Sequence, residues 1–135
     1  MPFPLRVAIL PFLMLVGCAA RQRLSQGTQL EGARGEVERT VEGDKVHVVV
    51  RVHNLLRPSA VGPDATAFVV WAEPVQGGSP RNLGALRLDE DENGELETST
   101  TLRSFELFIT AEPSSTDHEP WGEKLMWTEI DSGGS

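Results

Sequence analysis

The stretch from Asp89 to Glu97, with the sequence DEDENGELE, places oxygen ligands at alternate positions. A D-x-D-x-N-G pattern of this kind wraps hard cations in calcium loops, where the glycine makes the sharp turn. The candidate ligands are Asp89, Asp91, Asn93 and Glu95. The twelfth position is Thr100 instead of glutamate, so the bidentate ligand that closes such loops is missing. Two interpretations stay open: a calcium site, or a solvated β-hairpin turned by Asn93-Gly94.

The remaining polar residues give little support for catalysis. His47 and His53 are six positions apart on one extended segment, about 20 Å at ~3.3 Å per residue, which is too far to share a metal ion. A Ser-His-Asp set can be drawn only from near neighbours: Ser114, Ser115, Asp117 and His118. No nucleophile elbow accompanies it, and no Gly-rich phosphate loop follows a strand. We therefore predict a protein that is not an enzyme and binds no nucleotide.

The only cysteine, Cys18, ends an apolar N-terminal segment. Arg6 precedes an apolar run over residues 7–16, which is too short for a membrane-spanning helix of about 20 residues. A basic start, a short apolar stretch and small residues are typical of a cleaved secretory signal. The residues Leu15-Val16-Gly17-Cys18 resemble the lipobox of bacterial lipoproteins. The alternative is a plain secretory signal with an incidental cysteine.

The lipobox resemblance implies a diacylglyceryl thioether on Cys18, cleavage after Gly17 and an acylated new N-terminus. Several acyl chains hold a protein firmly on a membrane, whereas one chain does so only marginally. We therefore expect a protein anchored in the cell envelope, at the outer membrane facing the periplasm. Because lipidation uses the only thiol, the folded part would have no disulfide and no thiolate metal site.

Length and charge limit the other function classes. The chain has 135 residues, enough for one domain, and a formal net charge of −8. Nucleic-acid binding needs clustered lysine and arginine, so an acidic chain argues against it. We expect the membrane, through the lipid, and a protein of the envelope as partners, and no cofactor apart from the calcium ion considered above.

The pattern along the chain predicts an all-β protein, an Ig-like antiparallel sandwich of about seven strands, with a small barrel as the alternative. We predict a signal peptide over residues 1–17, the lipidated cysteine and a flexible tether over 18–35, a sandwich over 36–130, and a loose tail over 131–135. A short strand or helix around residues 29–34 is the alternative to part of the tether. The predicted strands cover residues 35–41, 45–54, 66–73, 82–89, 96–102, 105–111 and 123–130.

Two tryptophans carry further expectations. Trp71 lies in the third predicted strand, where Ig-like sandwiches often bury a tryptophan. Trp121 lies between Pro120 and Gly122 in a polar loop, where an exposed ring would serve as a binding aromatic. In the strongest strand, 45–54, valines alternate with polar residues, so one face is expected in the core.

A series of short motifs runs through residues 66–130: AFVVWA (67–72), Gly77-Gly78, LGAL (83–86), Asp91 with Gly94, FELFITAEP (105–113) and Pro120-Trp121-Gly122. This order resembles the extracytoplasmic C-terminal domain of anti-sigma-K-type factors. In that family a strand with a Trp-centred motif precedes a Gly-bearing strand, an aspartate–glycine hairpin, a V-T-x-E-P strand and a P-x-G turn. The resemblance implies a β fold outside the cytoplasm.

The sequence also departs from that family. The family's sigma-binding segment and membrane helix have no counterpart here, and a lipobox stands in their place. The resemblance therefore does not imply sigma-factor binding. Trp121 replaces the small polar residue that is usual in the family's P-x-G turn.

Overall fold

Ten antiparallel strands form two five-stranded sheets in the part of the chain that the computed structural model describes, residues 19–133. The signal segment and Cys18 lie outside the described residues. The first sheet, sheet A, has the order β1 (Ala20–Arg23), β3 (Arg34–Glu42), β4 (Lys45–His53), β8 (Gly94–Thr100) and β7 (Arg87–Leu88). The second, sheet B, has the order β2 (Ser25–Gln26), β10 (Met126–Asp131), β9 (Ser104–Glu112), β5 (Ala67–Pro74) and β6 (Arg81–Ala85). This two-sheet architecture confirms the predicted all-β sandwich.

The core lies between the sheets, where the alternating faces of their strands meet. In β4 the residues Val46, Val48, Val50 and Val52 are fully buried, as their period of two predicts. Phe68, Val70 and Ala72 of β5 face them from sheet B in the same cluster. A one-turn helix, α1 (Pro58–Val61), lies in the loop between β4 and β5. Among the described residues, no helix is long and apolar enough to cross a membrane.

The predicted flexible tether is wrong for residues 20–35. Strand β1 pairs with β3, Leu24 carries the chain across to the other sheet, and β2 pairs with β10. A 3-10 turn over Thr28–Leu30 follows. Leu24 and Leu30 are both buried in the main core. The segment therefore joins the two sheets, and its two leucines pack into the core at that edge.

Other predicted boundaries also change, two of them in ways that affect the topology or the tail. The strand predicted over residues 82–89 divides at Leu86, which is buried and donates its N–H to Phe68 O at 2.9 Å, so the chain leaves sheet B there and enters sheet A as β7. The tail predicted from residue 131 begins later, because β10 includes Asp131 and Ser132 N donates to Arg103 O at 2.9 Å.

The two ends of the sandwich are defined by their turns. At one end, the Gly43 end, the β3–β4 turn lies beside the β8–β9 link, and Arg103 Nη2 donates to Gly43 O at 2.8 Å. Strand β9 runs from there to the opposite end, the Glu112 end, a distance of about 26 Å at ~3.3 Å per residue. Ala20 pairs with Arg39 in β3, so β1 runs from the Gly43 end toward the Glu112 end.

Candidate functional site

The loop over residues 113–125, here called the Trp121 loop, covers part of the outer face of sheet B. Asn82 Nδ2 of β6 donates to Ser115 O and to Asp117 O, both at 2.9 Å. At its far end the loop returns to the sheet, where Leu125 N donates to Ile109 O at 2.8 Å. The loop thus covers apolar side chains on the face of sheet B that points away from the main core.

Trp71 belongs to this outer face. It is buried, as predicted, but it forms a second cluster with Val69 and Phe108 instead of lying between the sheets. The rings of Trp71 and Phe108 are stacked with their centroids 6.4 Å apart. Strand β5 is therefore apolar on both faces because each face has its own cover: sheet A on one side and the Trp121 loop on the other.

The buried carboxylate of Glu112 fixes the Trp121 loop. Its side chain is 0% exposed, and it accepts hydrogen bonds from Trp121 N at 2.9 and 3.1 Å and from Gly122 N at 3.1 Å. Thr110 Oγ1 also donates to Glu112 Oε2, and Trp71 Nε1 donates to Thr110 Oγ1 at 2.8 Å. These bonds satisfy a buried charge that would otherwise be costly. They connect the indole of Trp71 to the backbone of the loop.

Gly122 fits this arrangement because the loop passes close to the sheet. A Cβ atom at Gly122 would lie 2.6 Å from Ala111 O, a backbone atom that cannot move aside. Only glycine therefore allows the N–H of residue 122 to reach the Glu112 carboxylate.

The indole of Trp121 points into solvent although its backbone is fixed. The residue is 79% exposed, the largest exposure among the large hydrophobic side chains of the described residues. An aromatic ring on a preorganised backbone loses little conformational entropy when a partner covers it. Trp121 is thus exposed, and its role as a binding aromatic stays a prediction.

Lys124 closes the loop through electrostatic contacts. Its Nζ donates to Glu106, lies 3.5 Å from Glu73 Oε2 and lies 4.6 Å from the centroid of the Phe108 ring. The hydrogen bond to Glu106 raises the pKa of Lys124 above its ordinary value. The ammonium group thus lies over the Phe108 ring of the outer cluster while its charge is shared by two carboxylates.

The Asp89 hairpin lies at the Glu112 end and is organised by internal hydrogen bonds. Asp89 Oδ1 accepts from Asp91 N at 2.8 Å and from Asn93 N at 2.9 Å, and Asp89 Oδ2 accepts from Asn93 Nδ2 at 3.2 Å. His53 Nδ1 donates to Asn93 Oδ1 at 2.9 Å. The hydrogen bonds that Asp89 accepts, above all the one from Asn93 N, lower its pKa.

This geometry is that of a side-chain-capped turn. The Asp89 carboxylate points toward the loop's own donors, Asn93 Oδ1 toward His53 in β4, and Glu95 lies in β8 with its carboxylate 3.6 Å from Arg51 Nε. Within residues 19–133, no group of three or more His, Cys, Asp or Glu side chains is placed to hold a metal ion. The arrangement favours the hairpin interpretation, and the calcium site of Asp89, Asp91, Asn93 and Glu95 stays a prediction.

His47 and Ser114, two of the other polar residues considered for catalysis, have partners close by. His47 Nε2 contacts Glu97 Oε1 at 2.9 Å on the outer face of sheet A, and its Nδ1 lies 3.2 Å from Ser99 Oγ. The Ser114 hydroxyl pairs with Thr116 Oγ1 at 3.0 Å within its own turn. Each of these polar groups thus has a local partner of an ordinary kind.

Glu112 and Thr110 were missed by the sequence analysis. The signal available was a Thr-x-Glu sequence on the outer face of an otherwise apolar strand, where a polar residue must find partners once it is covered. No protein-family model matches the chain, and no curated protein sequence matches it.

Proposed function

We propose that this protein is a lipid-anchored lipoprotein of the bacterial cell envelope and a non-catalytic binding module. In this proposal a partner protein of the envelope docks on the Trp121 loop. The observation that carries the proposal is the contrast between the 79% exposed indole of Trp121 and the fully buried Glu112 that holds its backbone. A solvated tryptophan on a rigid support is the kind of residue that dominates interface energies.

The anchor in this proposal is Cys18 at the end of the lipobox. The first described strand begins at Ala20, two residues later, so the lipidated cysteine would lie within about 7 Å of the sandwich. The domain would therefore rest at the membrane surface without a spacer. The similarity to extracytoplasmic domains of anti-sigma-K-type factors supports the same compartment.

The distance between anchor and loop supports the choice of Trp121 as the docking residue. Ala20 lies opposite Arg39, about 10 Å short of the β3–β4 turn at ~3.3 Å per residue, so the lipid would attach nearer the Gly43 end, whereas Glu112 holds Trp121 at the opposite end. The tryptophan would thus point away from the anchoring membrane, toward proteins of the periplasm. An indole meant for lipid would lie at the anchored end instead.

Quantitative capture from envelope extracts tests the docking proposal. Immobilised protein is titrated with extract, and bound proteins are identified and measured as a function of concentration. We expect one saturable partner whose retention falls at least tenfold with Trp121→Ala, because hot-spot tryptophans contribute about 2 kcal/mol or more. Val75→Ala is the matched control, since Val75 is 54% exposed at the Gly43 end. Equal retention by wild type and Trp121→Ala would contradict the proposal.

A further inference from the structure

A cavity of about 430 Å³ opens on the outer side of sheet A near the Glu112 end. It lies where β1 crosses over to β2, beside the paired residues Arg34 and His53. Its polar lining consists of Arg23, Ser25, Gln26, Arg34, Glu36 and His53. The lining is thus rich in hydrogen-bond donors in a chain whose net charge is −8.

The two arginines of this cavity differ from their neighbours on the same sheet. Arg21 pairs with Glu38 at 3.3 Å, and Arg51 lies 3.6 Å from both Glu38 and Glu95. Arg23 and Arg34 form no ion pair within residues 19–133. Their guanidinium groups therefore keep their full donor capacity at the rim of the cavity.

Only one carboxylate, Glu36, lines the cavity against the two guanidinium groups and the His53 ring. Glu36 is the direct cross-strand neighbour of Arg23 in β1 and of Arg51 in β4. The local charge is therefore positive even with His53 neutral. Strand pairing in β1, β3 and β4 fixes the positions of these residues, so the donors converge on a rigid surface.

We propose that this cavity binds a small soluble anion that carries a phosphate or carboxylate group. The planar fork of arginine matches both groups and binds them through two parallel hydrogen bonds. Ser25 adds a hydroxyl to the donors. The volume lies within the range of about 300–1,000 Å³ that is usual for small-molecule sites, so the ligand is larger than a bare phosphate ion.

The position of the cavity favours a soluble ligand over a lipid headgroup. It lies toward the Glu112 end, whereas β1 enters the sandwich from the Gly43 end. The site is independent of Trp121, which lies on the outer side of the other sheet. Anion binding itself does not depend on lipidation of Cys18, whereas the preference for a soluble ligand over a lipid headgroup does.

Titration of the purified protein with inorganic phosphate and with citrate, followed by NMR of the backbone amides, tests the inference. We expect saturable shifts centred on Arg34, Gly35 and His53, with citrate binding more tightly because it fills more of the cavity. Arg34→Gln should weaken citrate binding about tenfold, which is the usual effect of losing one charge-assisted hydrogen-bond pair. Arg23→Gln should act in the same direction.

Two further variants distinguish a specific binding site from diffuse electrostatic attraction. Glu36→Gln removes the only lining carboxylate and should tighten citrate binding about threefold, an effect that a merely structural role would not produce. Arg81→Gln is the matched control, because it removes the same charge from the edge of sheet B and should leave binding unchanged. Thermal unfolding of each variant verifies that the fold is intact.

Three results would overturn the inference. The first is the absence of saturable shifts with both probes at 10 mM, roughly the weakest range expected for a specific site. The second is an equal loss of binding in Arg81→Gln and Arg34→Gln, which would indicate diffuse electrostatic attraction. The third is a Cys18→Ser protein that does not respond to soluble anions but binds phosphatidylglycerol vesicles and not phosphatidylcholine vesicles. That result would assign the surface to lipid headgroups.

Discussion

At the scale of single residues, Glu112 has the most influence on the candidate site. It is a fully buried carboxylate that accepts from a hydroxyl and from two backbone N–H groups, with no lysine or arginine paired to it within the described residues. Hydrogen bonds to a charged acceptor are stronger than those between neutral groups. The charge thus holds a loop in place without the help of an ion pair.

Replacing this carboxylate by an amide tests its role. Glu112→Gln keeps the shape but turns one acceptor into a donor that faces N–H groups, so we expect a loss of about 2 kcal/mol in the free energy of unfolding. Urea denaturation measures that loss, and hydrogen exchange at Gly122 N should become faster. Glu119→Gln, an exposed change in the same loop, should stay within about 0.5 kcal/mol of wild type. Equal stability of the two variants would show that Glu112 does not hold the loop.

The Asp89 carboxylate gives a second prediction, on pH. Its pKa is lowered, first by the hydrogen bond from Asn93 N, so the folded hairpin resists protonation that the unfolded chain accepts. Its contribution to stability is therefore complete above the ordinary aspartate pKa of about 3.9 and is lost as the pH falls through the lowered value. In an NMR titration, the amide shifts of Asp91 and Asn93 should follow a midpoint below that ordinary value.

Asp89→Asn is the control for this titration, because it removes the titrating group and should abolish the shared midpoint at both amides. A midpoint at or above the ordinary value in the wild type would contradict the proposed cap. Calcium at millimolar concentration, added in the same experiment, tests the alternative interpretation through shifts at Asp91 and Glu95.

At the scale of elements, the N-terminal segment differs most from its prediction. Strand β1 contains only Ala20, Arg21, Gln22 and Arg23, and its polar pattern comes from its place at the edge of a sheet. Leu24 and Leu30 are too far apart to set a helical or strand period. The segment is placed by its strand pairings with β3 and β10, which local periodicity cannot reveal.

Leu30→Ala tests whether this segment belongs to the folded unit. Leu30 is 1% exposed in the main core, so truncation should lower the free energy of unfolding by about 2–5 kcal/mol, as measured by chemical denaturation. A flexible tether would give no loss. Leu56→Ala is the matched control, because Leu56 is 48% exposed and should change stability by less than about 0.5 kcal/mol.

The strands with clear alternation were predicted well, whereas the parts of the chain that cover a strand were not. The valines of β4 face the core as their period requires, because one face of that strand is covered and the other is solvated. In β5 both faces are apolar, which predicts a central strand but not the identity of the cover. The Trp121 loop supplies that cover, although its own residues are mostly polar, since Glu112 and Asn82 bond to its backbone.

At the scale of the whole molecule, the candidate surfaces lie away from the entry of the chain. The Trp121 loop and the arginine-lined cavity are both toward the Glu112 end, on different sheets, whereas β1 begins in the half of sheet A nearer the Gly43 end. The candidate sites could not be predicted together from the sequence, because only the strand order brings Arg23 beside Glu36 and Arg34 beside His53. With a lipid on Cys18 connected this closely to β1, the domain would take one orientation on the membrane, with both candidate surfaces directed away from the bilayer.

Energy transfer from a dye to fluorescent headgroups tests this orientation in lipidated protein on vesicles. Because Cys18 is the only cysteine, lipidation leaves a thiol introduced by Asp44→Cys or Trp121→Cys as the single labelling site. We expect stronger transfer from position 44, since the two ends are about 26 Å apart. Inserting a 17-residue Gly/Ser linker after Ala19, with a mean reach of roughly 20–25 Å, should reduce the difference. Equal transfer without the linker would contradict the orientation, and membrane retention of Cys18→Ser would contradict the lipid anchor itself.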